Sequence, residues 1–93
     1  MLIRSYVVEG VVQGVGFRWF TREQARRRGL RGWVRNEPDG TVRAVAAGLA
    51  GILDEFEAVL QEGPAGSRVD LVRVEPAGPS LLEDLPLPFA VMR

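Results

Sequence analysis

The chain has 93 residues and a formal net charge of zero at neutral pH, and it contains no cysteine, histidine or lysine. A chain of this length buries roughly 60–68% of its unfolded surface, so we expect residues 1–93 to form one domain. The missing residue types exclude disulfides, thiolate and Schiff-base chemistry, and an imidazole general base. They also remove the usual transition-metal ligands, so we expect no metal and no cofactor.

The charge is unevenly distributed along the chain. Residues 1–45 carry nine arginines and four acidic residues, whereas residues 46–93 carry three arginines and eight acidic residues. A basic half favours a small anionic ligand, since a nucleic-acid binder more often shows overall excess charge and a continuous basic stripe. The sequence has no long apolar segment and no leader pattern. We therefore expect a cytoplasmic protein that binds neither nucleic acid nor a membrane.

The first predicted strand covers residues 2–9, and a glycine-rich loop follows it as far as Phe17. Because Gly14 and Gly16 have no side chains, this loop can turn sharply and bring its N–H groups close to an anion. Arg18 then offers a planar guanidinium that matches phosphate or carboxylate oxygens. The first turn of the next helix adds unpaired donors and the positive end of its dipole. The sequence thus predicts an anion site at the junction of loop and helix.

This first helix is predicted over residues 18–28, which contain no glycine or proline, and Gly29-Leu30 provides a stop signal. Two strands over residues 31–36 and 41–47 follow, joined by a Pro-Asp-Gly turn that is typical of a β-hairpin. Asn36 is the last residue of the first of these strands. The hairpin therefore carries one amide side chain at the edge of its turn.

A second helix is predicted over residues 50–61, where apolar residues recur at helical spacing with acidic residues outside the stripe. A strand over residues 69–74, a proline-rich connection over 76–88 and a last short strand over 89–93 complete the chain. The order β-α-β-β-α-β with an added C-terminal strand predicts an α+β, ferredoxin-like sandwich, in which two helices cover one face of an antiparallel sheet. The register of the last strand is left open.

Two motifs carry a resemblance to a known family. The first is GVVQGVGFR from Gly10 to Arg18, and the second is GLRGWVRN from Gly29 to Asn36, followed by DGTV from Asp39. In order and spacing they resemble the acylphosphatases, small ferredoxin-like enzymes that hydrolyse the carboxyl-phosphate bond of acyl phosphates. The resemblance spans almost the whole chain. It implies an acylphosphatase whose substrate is a small acyl phosphate and whose product, inorganic phosphate, is also a competitive ligand.

By position, the resemblance also implies roles for individual residues. Arg18 would bind the phosphoryl group, and Asn36 would orient the attacking water. Backbone amides of the loop would help to hold the phosphoryl group, at Gln13, Gly14, Val15, Gly16 and Phe17. An alternative role for the Gln13 side chain is to brace the loop. Phe17, Trp19 and Trp33 are expected to pack against other side chains rather than to stack on a ligand.

Elementary chemistry agrees with these implied roles. Phosphoryl transfer depends on charge neutralisation and in-line positioning, which an arginine, N–H donors and one amide can provide. A carboxamide can accept a hydrogen bond from water without titrating. We therefore expect metal-independent catalysis in which the substrate phosphate or bulk water takes the proton. Glu9, Glu37 and Asp39 lie nearest the motifs, but their strand-end and turn positions favour structural roles over those of base or metal ligand.

Other functions are compatible with parts of the pattern. The loop lacks the third glycine of a dinucleotide fold and the Gly-Lys of a P-loop. RNA-recognition domains share the predicted element order, but the third strand here has no aromatic residue on which a base could stack. A non-catalytic or carbamoyl-phosphate-handling domain, resembling the acylphosphatase-like part of hydrogenase-maturation proteins, is the alternative that keeps the fold. We expect the free-standing enzyme, acting as a monomer.

Overall fold

The computed structural model describes residues 1–77 and 84–93, and these contain five strands and two helices. The strands are β1 (Leu2–Val11), β2 (Arg31–Asn36), β3 (Val42–Gly48), β4 (Arg68–Ala77) and β5 (Ala90–Val91), and the helices are α1 (Phe17–Arg27) and α2 (Ala50–Glu62). Every predicted element is present. The fourth strand is longer than predicted and the last one shorter, and residues 78–83 of the proline-rich connection lie outside the described residues.

The strands form one sheet in the order β4-β1-β3-β2-β5. Strand β1 pairs antiparallel with both β3 and β4, and β2 pairs antiparallel with β3, as the ferredoxin-like prediction requires. Strand β5 runs parallel to β2, with Trp33 opposite Ala90 and Val34 opposite Val91. The added strand therefore makes the sheet mixed rather than purely antiparallel. Its register brings the end of the chain beside the end of β2.

Both helices pack on the same core through short rows of buried side chains. Helix α2 buries Leu53, Phe56 and Leu60, which lie on one helical face. Helix α1 buries Phe17, Thr21 and Ala25, a row at four-residue spacing. The Thr21 hydroxyl donates back to the Phe17 carbonyl at 2.9 Å, which satisfies its polar group inside the core. Neither helix of the described part has the length and apolar character needed to cross a bilayer.

The C-terminal segment is held by arginine side chains and by one buried ring. Arg26 Nε donates to the carbonyl of Phe89 at 2.9 Å, and Arg31 Nη2 donates to that of Leu85 at 3.0 Å. The Phe89 ring is fully buried, with its centroid 6.0 Å from that of Phe56. The amide of Met92 donates to the Val34 carbonyl at 2.8 Å. These contacts fix the short strand β5 against β2.

Tyr6 is a buried polar group at the centre of this core. It is fully buried, its ring lies edge-on to Phe56 with centroids 5.6 Å apart, and its hydroxyl has no hydrogen-bond partner within residues 1–77 and 84–93. Burial raises the pKa of Tyr6 to about 12, because a phenolate in the core would lose its hydration.

This gives a sharp prediction for alkaline stability. The chain has one tyrosine and no lysine or cysteine, so Tyr6 is the side chain expected to titrate between about pH 9 and pH 12. Burial raises the pKa of Tyr6 in the folded protein to about 12, above an unfolded value near 10. The contribution of the neutral Tyr6 to the free energy of unfolding should therefore be fully present below about pH 10 and be lost as the pH rises through the folded pKa. Tyr6→Phe should abolish this loss and leave stability at pH 7 unchanged or higher. Thermal melts of both proteins from pH 7 to pH 11 test it; an equal decline above pH 10 would contradict it.

Candidate active site

A cleft of about 320 Å³ opens where the loop after β1, the first turns of α1 and the end of β2 meet. The loop and α1 contribute Gly14, Gly16, Phe17, Arg18 and Arg22 to its wall, and β2 contributes Asn36. Val91 and Arg93 close the side next to β5. The fold thus brings together Arg18 and Asn36, the two side chains that the sequence singled out.

The loop owes its shape to backbone conformations that glycine adopts readily. Gly14 has a φ of 76° and Gly16 has a φ of 78°, both in the left-handed region. A Cβ atom at either position would meet nothing within 4 Å, so space is not what requires glycine there. The backbone conformation is what requires glycine, since a residue with a side chain costs about 1–2 kcal/mol in the left-handed region. This turn directs the chain into α1 at the floor of the cleft.

The N-terminus of α1 presents unpaired backbone donors. Gly16 is the N-cap, no side chain caps the helix, and its first turn has no acidic residue. The first helical hydrogen bond runs from the Phe20 amide to the Gly16 carbonyl at 3.0 Å. The amides of Phe17, Arg18 and Trp19 therefore have no acceptor within the helix. Together with the positive end of the helix dipole they form a site suited to an oxyanion.

Arg18 is half-buried in the cleft wall, and its guanidinium is not used to hold the fold. Within the described residues it takes part in no side-chain hydrogen bond or salt bridge, whereas Arg22 is paired with Glu23 at 3.0 Å. An arginine presents five N–H donors in a rigid fork. No described residue therefore occupies the Arg18 donors, which are open to a ligand or to solvent.

Asn36 contributes an acceptor rather than a charge. It lies at the end of β2, opposite Val42 of β3, and lines the cleft. Its Oδ1 atom is buried and receives no hydrogen bond from any described residue. A buried acceptor without a donor costs about 1–3 kcal/mol, so a water molecule that donated to it would relieve this cost.

Gln13 connects the glycine loop with the hairpin turn. Its Nε2 donates to the carbonyl of Glu37 at 2.7 Å and to that of Thr41 at 2.8 Å. These two carbonyls belong to the turn that follows Asn36, which is itself closed by a 2.9 Å bond from the Glu37 amide to the Thr41 carbonyl. The side chain of Gln13 therefore braces the loop, as the alternative role required. A ligand contact of its backbone amide stays a prediction.

The three carboxylates near the motifs are occupied elsewhere. Glu9 pairs with Arg73 at 3.1 Å, and Glu37 pairs with Arg35 at 2.7 Å. Asp39 accepts hydrogen bonds from the Thr41 hydroxyl and amide, which hold the pKa of Asp39 below its usual value. None of the three lines the cleft, and the described part of the chain contains no cluster of three metal-ligating side chains. Their contacts agree with structural roles.

Sequence reasoning missed five residues of the cleft wall: Val12, Trp19, Arg22, Val91 and Arg93. Arg22 follows Arg18 by one helical turn, a spacing that could have revealed it. Val91 and Arg93 reach the cleft through the pairing of β5 with β2, for which the sequence has no local signal. The packing prediction is right for Phe17, which is buried, and wrong for Trp19, which is 60% exposed at the cleft. Trp19 lies off the buried row of α1, so the helix turns it outward.

The fold and the cleft define a ferredoxin-like α+β protein whose cleft is lined by an arginine and a glycine loop at the N-terminus of a helix. The family model of the acylphosphatases matches residues 4–82. An acylphosphatase of Nitratidesulfovibrio vulgaris is 61% identical over 69 residues, a match that covers 74% of this chain and 69% of the relative. The chain belongs to the acylphosphatase family and is accordingly an enzyme of the hydrolase class.

Solved structures agree with the fold. The crystal structure of acylphosphatase from Bacillus subtilis matches with a TM-score of 0.87 and 33% identity, covering 100% of both chains. The ferredoxin-like prediction is thereby confirmed. Full-length HypF in its phosphate- and nucleotide-bound form matches with a TM-score of 0.82 and 23% identity over 12% of its length. At that identity the likeness to HypF concerns the fold alone.

The brace formed by Gln13 can be tested by Gln13→Leu, which removes both donors at similar size. It leaves the Glu37 and Thr41 carbonyls without this partner, so the free energy of unfolding should fall by about 1–3 kcal/mol. Phosphate binding should weaken as well, because the loop is no longer tied to the hairpin. Urea melts and phosphate titrations measure the two effects, with Gln61→Leu on the exposed face of α2 as the matched control. Unchanged stability with lost phosphate binding would instead make the Gln13 side chain a direct ligand.

Proposed function

We propose that this cleft hydrolyses the carboxyl-phosphate bond of small acyl phosphates, releasing a carboxylate and inorganic phosphate. The observation that carries the proposal is the convergence of Arg18, the open amides at the start of α1 and Asn36 on one cleft. Among the described residues, no Asp or Glu side chain lines that cleft, which favours an anionic phosphoryl group. The arrangement provides charge neutralisation, orientation and a position for water.

Arg18 and the loop amides hold the phosphoryl group in this proposal. The guanidinium binds two of its oxygens through parallel N–H bonds, and backbone N–H groups of Gln13, Gly14, Val15, Gly16 and Phe17 surround the others. These donors are held by the loop and by α1 before the substrate arrives. Charge that develops on the phosphoryl oxygens during the reaction therefore meets dipoles that need no reorganisation.

Asn36 orients the nucleophile. A water molecule that donates to Oδ1 is placed to attack phosphorus in line with the bond to the carboxylate. The bond from the water oxygen to phosphorus forms while the bond from phosphorus to the acyl oxygen breaks, and the carboxylate leaves with the electron pair. The water proton passes to a phosphate oxygen or to bulk water. A carboxylate is a good leaving group, so no general acid is required.

The same residues support metal-independent catalysis by a single chain. The donors in the cleft wall are cationic or neutral, with Arg18 and Arg22 among them, which is a poor donor set for a divalent cation.

All of the proposed site residues come from one chain, which supports activity as a monomer and treatment of residues 1–93 as one functional domain. The cytoplasmic location stays a prediction.

The alternative is a non-catalytic or carbamoyl-phosphate-handling domain. It predicts phosphate binding without turnover of acyl phosphates. The likeness to HypF is limited to the fold, and the cleft contains, besides the proposed anion site, the Asn36 Oδ1 atom, which accepts no hydrogen bond from a described residue. A binding domain has no need for that acceptor, so the enzyme is the better account.

The decisive experiment measures phosphate release from benzoyl phosphate in the presence of a metal chelator. We expect full activity with the chelator, because the proposed site consists of amides and Arg18. Inorganic phosphate should inhibit competitively, since it shares the phosphoryl group that the loop recognises. Activity lost in chelator and restored by magnesium would contradict metal independence, and noncompetitive inhibition would place phosphate outside the cleft.

A pair of variants separates the two proposed side-chain roles. Asn36→Ala should raise the barrier by roughly 2.7–4 kcal/mol, a fall of about 10²–10³ in kcat, with little change in phosphate affinity. Arg18→Lys keeps the charge but loses the two-pronged contact, so kcat/KM should fall by the equivalent of about 1.5–3 kcal/mol or more and phosphate affinity should fall with it.

Asn36→Ala and Arg18→Lys serve as controls for each other, because a purely structural or purely charge-based role would give a different result in each. If Asn36 served only to hold the hairpin, Asn36→Ala would lower the melting temperature and keep near-normal turnover below it. If Arg18 acted only through its charge, Arg18→Lys would keep wild-type kcat/KM. Steady-state kinetics, phosphate titration and thermal melts on both proteins distinguish all of these results.

A further inference from the structure

The cleft contains a second cation that the proposed reaction does not use. Arg22 lies on α1 one turn beyond Arg18, and both residues line the cleft. Four residues of helix advance by about 6 Å, and residues at this spacing share a helical face. The two arginines therefore lie next to each other on one wall of the cleft.

Arg22 is only partly engaged by the protein. Its Nη2 donates to Glu23 Oε1 at 3.0 Å, and its side chain is 29% exposed. Its Nε is buried and has no acceptor among residues 1–77 and 84–93. The guanidinium carbon lies 5.4 Å from the centre of the Trp19 ring, which restricts its position without using its N–H donors. Arg22 thus retains donors for a ligand.

The charge of Arg22 exceeds what a simple phosphoryl group requires. Arg18 and the open amides of the α1 N-terminus already supply hydrogen-bond donors for that group. Arg93 also lines the cleft, whose described wall contains three arginines and no Asp or Glu, while Glu23 pairs with Arg22 from outside the wall. An arginine fork binds carboxylates in a two-pronged geometry. The wall is therefore matched to a ligand with a second anionic group beyond its phosphoryl end.

We propose that Arg22 recognises a carboxylate on the acyl part of the substrate. The preferred substrates are then acyl phosphates derived from dicarboxylic acids, with the phosphoryl group at Arg18 and the free carboxylate at Arg22. This inference rests on the proposed function, because it assumes that the phosphoryl group lies in the glycine loop. It adds a specificity determinant that acts on a part of the substrate remote from the reacting bond.

Two substrates that differ by one carboxylate test the inference: benzoyl phosphate and 3-carboxybenzoyl phosphate. The proteins are the wild type, Arg22→Gln and the matched control Arg27→Gln, whose altered residue is exposed on the same helix outside the cleft wall. Arg22→Gln should lower kcat/KM for the carboxylated substrate about tenfold more than for benzoyl phosphate, a difference of about 1.4 kcal/mol. The difference should arise in KM, shrink with added salt and be partly restored in Arg22→Lys. Arg27→Gln should change the two substrates equally.

The ratio of the two kcat/KM values does not depend on how much of a variant is folded, so misfolding cannot imitate the expected result. An equal loss for both substrates in Arg22→Gln would overturn the inference, because Arg22 would then act on the phosphoryl group or on the fold. Unchanged kcat/KM values for both substrates in Arg22→Gln would overturn it too, while the proposed function would stand. Failure of the wild-type protein to hydrolyse either substrate would overturn the proposed function and this inference together.

Discussion

Two hydrogen bonds from one amide group couple the halves of the cleft. The Gln13 side chain donates to the Glu37 and Thr41 carbonyls, and so ties the glycine loop to the hairpin turn beside Asn36. Arg18 and Asn36 are carried by different elements, and an error of about 1 Å between such groups can cost about 10²-fold in rate. A brace made within the protein sets their separation before any ligand arrives. This link is one of the contacts that set the shape of the cleft.

The brace formed by the Gln13 side chain is important because the glycine loop and the start of α1 leave backbone N–H groups of the cleft unpaired. Gly14 and Gly16 turn the loop so that its amides are not consumed by local hydrogen bonds, and α1 starts without a side-chain cap. Uncapped donors and an Arg18 without a partner among the described residues add no hydrogen bonds to the fold. The buried row of α1 and the mixed sheet supply the stability instead. Polar groups that stay open while the rest of the fold is satisfied are typical of functional sites.

Arginine is the only basic side chain in this lysine- and histidine-free chain. Its geometry explains why one residue type is sufficient for ion pairs, backbone contacts and the cleft. Arg4 pairs with Asp54 at 2.7 Å on the surface. Arg26 and Arg31 donate to backbone carbonyls and so hold the C-terminal segment against the sheet. Arg18 keeps its donors for the cleft. A planar group with five N–H donors suits carboxylates, carbonyls and phosphates alike, so neighbouring structure decides which partner each arginine meets.

The sequence by itself determined the elements and the order of the ferredoxin-like strands, and it singled out two residues, Arg18 and Asn36, that both line the cleft. These features depend on local rules: periodicity for α2, a turn signal for the hairpin, and a glycine loop that runs directly into Arg18. Only the tertiary structure decided the parallel register of β5, the role of the Gln13 side chain, the outward position of Trp19 and the place of Arg22 and Arg93 in the cleft. The register of β5, the Gln13 contacts and the place of Arg93 depend on residues far apart in the chain, whereas the positions of Trp19 and Arg22 depend on which face of α1 is buried. Such contacts leave no periodic signal in the sequence, because many packings satisfy the same local pattern and only the assembled core selects one of them.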